Sequence, residues 1–144
     1  MSDILVPVSP GELLDKITIL RLKCAHIDDP SRLANTRREL GLLEQAWRGA
    51  VGAHDIHSDH GELAQDEAQL ARVNAELWEI EDRIREHEAH GSFDAAFVQL
   101  ARSVYLRNDE RAAIKRRINL RLNSAIIEEK SYRPYGGPGS PATG

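Results

Sequence analysis

An all-α, antiparallel bundle of four helices is the fold this sequence predicts, and three observations carry the prediction. Apolar residues recur at intervals of three and four through four separate stretches. Capping or breaking residues bound those stretches: Ser9-Pro10, Asp29-Pro30, the glycines between Gly49 and Gly61, and Gly91-Ser92. Charge also changes sign between the last two stretches. Glu62 to Asp94 holds ten acidic and three basic residues, and Phe97 to Ile126 holds seven basic and two acidic. Adjacent segments of opposite sign attract each other as the arms of a hairpin.

The chain opens with a short extended piece, because β-branched Ile4, Val6 and Val8 alternate and Pro7 forbids a helix interior. Ser9, Pro10 and Glu12 then mark a helix start, with Ser9 as N-cap, Pro10 in the first turn and Glu12 reaching back as a capping box. This first helix is expected over about 10–28. Leu13, Ile17, Leu20, Cys24 and Ile27 form its main stripe, and Ile19 with Leu22 lie opposite, so it needs a second packing partner from its own chain or another subunit. A second helix, about 30–50, starts at Asp29-Pro30 and carries Leu33, Leu40, Leu43, Trp47 and Val51 on one face. Residues 52–61 read as a loop. The third helix, about 62–90, repeats Leu70, Val73, Leu77, Ile80 and Ile84, the spacing of close antiparallel packing. The fourth, about 93–129, places Phe93, Phe97, Leu100, Ala101, Val104, Ile118, Leu122 and Ile126 on one stripe. Its length of roughly 50 Å exceeds what the first two helices cover, which invites a homodimer. From Ser131 onward three prolines and four glycines exclude a regular element. A single helical domain over 1–135 with a flexible tail over 136–144 is expected.

Composition narrows the function classes. A formal charge of −4 argues against a general nucleic-acid binder, which carries basic excess to displace counterions. One cysteine, Cys24, allows no intrachain disulfide. No apolar run approaches the roughly 18 residues of a membrane span, so no membrane insertion is expected. The opening residues lack a signal-peptide pattern, and a cytoplasmic location follows by default.

The informative feature lies inside the fourth helix. Between Val104 and Ile118 its apolar stripe turns polar: Asn108, Arg111, Lys115 and Asn119 point where their hydrophobic neighbours point. Charges taken from water need partners, and Glu81, with Glu88 or Asp66, is the expected acid across the hairpin. In one reading this row is a structural network that fixes helix register, in a non-catalytic interaction or scaffolding module with a protein partner. In the alternative, Arg111 and Lys115 hold the carboxylate or phosphate of a small anionic ligand, Arg by a planar fork and Lys as a point charge, while the asparagines orient it. His54, His57 and His60, with Asp55 and Asp59, are metal-competent donors on a short loop. No scaffold fixes their geometry, so no metal or other cofactor is expected there. Arg116, Arg117 and Arg121 read as a solvated basic flank.

The blocks ILVPVSPGELLDKITIL, LWEIEDRIR, FVQLARSVYLRNDERAAIKRRIN and EEKSY, spread from Ile4 to about Tyr135, resemble a family of small bacterial proteins classified as a domain of unknown function. The resemblance implies a bacterial, mainly helical, stand-alone domain linked to cell-surface polysaccharide synthesis, and it implies no activity. A second likeness, through ELLDKITILRLK, is to the all-helical chorismate mutases. It implies that Arg21, Arg111 and Lys115 would bind and polarise a dicarboxylate, with Glu81 or Asn108 positioning it. The mutase pattern is not reproduced in order or spacing.

Overall fold

Local signals fix where each helix begins. In the computed structural model, which describes residues 1–52 and 61–135, helix α1 spans Pro10–His26 and α2 spans Pro30–Val51. The Ser9 hydroxyl accepts the Glu12 N–H at 3.2 Å, and the Asp29 carboxylate accepts the Arg32 N–H at 2.8 Å. The capping box does not close: the Glu12 carboxylate accepts from Lys115 instead. Helix α3 runs Glu62–His90 and α4 runs Ala95–Arg121. Between them Gly91 takes φ 64°, its N–H donates to Glu88 O and the Ser92 N–H to His87 O, so α3 ends in a left-handed cap that reverses the chain. The Asp94 carboxylate starts α4 by accepting the Phe97 N–H at 3.0 Å.

Helix α4 stops eight residues before the predicted end. Asn123 adopts φ 51°, the Asn123 N–H donates to Leu120 O, and the Ser124 N–H donates to Asn119 O at 2.8 Å. Asparagine tolerates this left-handed stop better than other non-glycine residues, which a search for Gly or Pro overlooks. The following chain, residues 122–135, is irregular and doubles back along α4 as a strap. Lys130 pairs with Asp109, and Tyr135 donates to Asp109 with its ring 4.8 Å from that of Tyr105. Residues 122–129, expected as the last turns of the helix, therefore fold back along α4. Residues 136–144, expected as a flexible tail, lie outside the described residues.

Helix α1 is the hub, touching each of the other three helices. That arrangement accounts for its two apolar sides, with Ile19 and Leu22 half-buried inside the same chain. Leu14 of α1, Leu63, Leu70 and Val73 of α3, and Ile114 and Ile118 of α4 form the buried core, with Trp47, Leu77 and Leu122 packed against it. Helix α2 contributes no fully buried residue, yet its predicted stripe, Leu33 to Val51, is the half-buried face. Of the stripe predicted for the fourth helix, Leu100 and Ile118 are buried and Phe97, Val104 and Leu122 half-buried, whereas Ala101 is exposed, as are Phe93 and Ile126 beyond its ends. No strand occurs among the described residues, and none of their helices is long and apolar enough to cross a membrane.

Opposite charges set the α3–α4 register. Asp66, 4% exposed, takes both Arg117 and Arg121, and Arg121 also reaches Glu62. Further along, Arg72, Glu76, Arg107 and Glu110 alternate in a ladder across the two helices. Residue numbers rise on one helix as they fall on the other, so the hairpin is antiparallel. Of the expected basic flank, Arg117 is exposed and Arg121 half-buried, and both also clamp Asp66.

In that ladder the hydrogen bond from Arg72 holds the Glu110 carboxyl below its ordinary value of 4.5, against the opposing effect of partial burial and with help from Arg107. A carboxylate with a depressed folded pKa contributes stability that is present above its unfolded value and lost as pH falls through the folded one. Glu110→Gln should therefore lower Tm at neutral pH, and the gap to wild type should close as pH drops below 4.5. Thermal melts from about pH 6 to about pH 3 check this, and a gap that stays constant contradicts it.

Candidate functional site: a polar seam and a cleft over Lys115

The polar row of α4 faces α1, not α3. Gly11, Asp15 and Thr18 lie four and three residues apart, so they share one side of α1. Without a side chain, Gly11 lets the two helices meet: a Cβ there would sit 2.5 Å from the Lys115 carbonyl oxygen and 2.9 Å from Asn119 Oδ1. Its N–H instead donates to Asn119 Oδ1 at 2.7 Å, which satisfies one of the donors left over at a helix start.

One turn further along, Asp15 is 1% exposed. Its two oxygens accept from Arg111, from Nε at 2.8 Å and from Nη2. Asn74 of α3 donates to both Asp15 Oδ1 and Thr18 Oγ1 at 2.9 Å, and the Thr18 hydroxyl donates to the Asp15 carbonyl. Three helices therefore converge on one carboxylate. No buried side-chain nitrogen or oxygen among the described residues lacks a partner, so the desolvation cost of this seam is met by hydrogen bonds. The hydrogen bond from Arg111 to Asp15 raises the guanidinium pKa, outweighing the downward effect of burial.

Lys115 lies on the same row but keeps different company. Its ammonium donates to Glu12 of α1 at 2.6 Å and to Glu128 of the strap at 3.1 Å. Burial pulls its pKa down, and the two carboxylates outweigh burial, leaving it above the ordinary lysine value. Beside it, Arg116 meets Glu129 of the strap at 3.0 Å. Asn108 accepts a long contact of 3.5 Å from Arg111. Over these groups opens a cleft of about 470 Å³, lined by Glu12 of α1, by Asn108, Arg111, Lys115, Arg116 and Asn119 of α4, and by residues 128–132 of the strap.

Of the residues the sequence singled out, Asn108, Arg111, Lys115 and Asn119 come together here. Glu81 does not: it is exposed on α3 and pairs with Arg85 at 3.7 Å. Arg21 is also elsewhere, held by Glu44 of α2 and Glu67 of α3. The grouping of Arg21 with Arg111 and Lys115 that the mutase likeness implies is therefore not formed. Asp66 serves Arg117 and Arg121. Sequence reasoning missed Gly11, Asp15 and the strap carboxylates. The signal for the first two was present: a small and polar row at helical spacing beside Leu14 mirrors the row on α4. His54, His57 and His60 lie outside the described residues, and among the described ones no three His, Cys, Asp or Glu gather as a metal site.

These features define an all-α bundle whose helices are joined by a buried carboxylate–guanidinium seam, with an open charged cleft beside it. A family model described as "Family of unknown function (DUF6165)" matches residues 4–143, and the chain belongs to that family. No match was found among curated proteins or among solved structures.

Proposed function

We propose that this protein binds a small anionic molecule in the cleft over Lys115. The observation that carries the reading is that the polar row borders open volume. Asn108, Arg111, Lys115 and Asn119 all line the cleft, although Arg111 is held by Asp15, Asn119 by Gly11 and Lys115 by Glu12 and Glu128. A network that served packing alone would close over all four. The cleft's size falls within the roughly 300–1,000 Å³ of small-molecule sites. Lys115 is suited to fix an anion, since its side chain is only 13% exposed and water competes weakly for it. Carboxylates on the rim would accept from hydroxyl or ammonium groups of the same ligand, so a polar, mixed-charge molecule fits better than an apolar one.

A thermal-shift titration with orthophosphate and with malonate at constant ionic strength tests this. Wild-type protein gains stability as anion exceeds Kd, by about 2.7 kcal/mol at a hundredfold excess. Lys115→Ala loses that gain while its far-ultraviolet dichroism stays helical. An anion response that persists in Lys115→Ala, or none in wild type, contradicts the proposal.

A second reading, a non-catalytic interaction module, has its own observation. Ile4, Leu5 and Val6 are 76%, 93% and 66% exposed, in an arm without helix or strand. Extended apolar arms join a partner's sheet edge or groove. On this reading, deletion of residues 1–8 lowers the mass measured by light scattering or abolishes capture of a partner protein. An unchanged mass together with unchanged capture contradicts it.

A further inference from the structure

The geometry points to a ligand carrying two neighbouring anionic groups, whose place is held in the free protein by the strap carboxylates of Glu128 and Glu129. This rests on the reading that the cleft binds anions, and it names which anions and what they displace. Two consecutive acids of the strap meet two consecutive cations of α4, Glu128 with Lys115 at 3.1 Å and Glu129 with Arg116 at 3.0 Å. Consecutive helical residues point about 100° apart, and here each cation holds its own carboxylate, an arrangement that two linked anionic groups reproduce and a single one does not.

The pairing of charges agrees. Arg111 is cancelled by Asp15 behind it and Lys130 by Asp109. Of the remaining lining, Lys115 meets Glu12 and Glu128, and Arg116 meets Glu129. Lifting the two strap carboxylates leaves Lys115 with Glu12 alone and frees Arg116. A molecule with two linked anionic groups, a diphosphate or a compact dicarboxylate, takes up both vacated contacts.

The strap is built to yield. Glu128 and Glu129 have side chains 67% and 73% exposed, and ion pairs so exposed contribute little to holding a segment down. Firmer points lie on either side. Upstream, the Ser124 N–H is bound to Asn119 O; downstream, Lys130 and Tyr135 are bound to Asp109. Residues 125–129 can therefore lift as a short bridge between two anchors. Lys115 stays in place, because Glu12 holds it from the α1 side at 2.6 Å.

Calorimetric titration of the full chain with inorganic pyrophosphate, orthophosphate, malonate and acetate, at one ionic strength, tests the inference. Pyrophosphate or malonate should bind about tenfold or more tighter than its single-group counterpart, and the pair that responds tells phosphate from carboxylate chemistry. Glu128→Gln combined with Glu129→Gln removes the competing charges and should tighten the preferred dianion by about fivefold or more. Amide exchange at residues 125–129 should quicken on binding while that of α4 does not. If anions bind but neither dianion is favoured, or if the double variant binds no tighter, the inference falls and the anion site stands. Absence of any anion binding removes both.

Discussion

Asp15→Ala should lower the free energy of unfolding by about 3–5 kcal/mol, the largest effect expected of any single polar change. The loss does not come from the missing contact alone. Arg111 keeps its charge in a setting where its side chain is 28% exposed, and Asn74 keeps a donor in a site where it is 5% exposed. Each then bears the cost of being out of water without the acceptor that justified it. Asp15→Asn retains the volume and one oxygen, so it should fall between wild type and alanine. Urea titration reads the change as a shifted midpoint at constant slope. A loss under about 1 kcal/mol in Asp15→Ala would mean that the seam contributes no more than an exposed pair.

Gly11→Ala should destabilise by about 1–3 kcal/mol, against what helix propensity alone predicts. In an open helix the change is worth roughly 1 kcal/mol in favour of alanine. Here the added methyl meets the Lys115 carbonyl oxygen, a backbone atom that cannot rotate aside. Helix α1 must back away from α4, which stretches the Gly11 N–H to Asn119 bond and loosens Asp15 against Arg111 in the next turn. Stability measured by denaturant gives the sign, and a crystal structure or distance measurement between the helices gives the displacement. A stabilised Gly11→Ala variant would show that the two helices do not meet at this point.

Those two predictions also mark the boundary between what the chain reveals by itself and what it withholds. Caps and stripes are local, and Ser9, Asp29, Asp94 and the Gly91 reversal set the starts of α1, α2 and α4 and the end of α3 by chemistry within a few residues. The inward polar row of α4 is also local, because it needs only the helical period. Its partner is not. Counting charge favours α3, where acids are abundant, yet those acids meet Arg107, Arg117 and Arg121 on the rim of the hairpin. The row meets a helix with one buried carboxylate, since α1 lies along that side of α4 and Gly11 permits the close approach. The strap was hidden for another reason. Ile126 continues the apolar period past Asn123, so periodicity extends the helix through a residue whose backbone has already turned left-handed. Glu128 and Glu129 are brought back over Lys115 and Arg116 only by that turn.

The joining of α4 to α1 through the buried Asp15–Arg111 pair is tested most directly by a double-mutant cycle on those two residues. Unfolding free energies of Asp15→Ala, Arg111→Ala and the double variant should give a coupling of about 2 kcal/mol or more, because removing both partners strands less than removing either. Losses that add within about 0.5 kcal/mol would mean that Arg111 is not committed to α1, and the seam would not hold the two helices together.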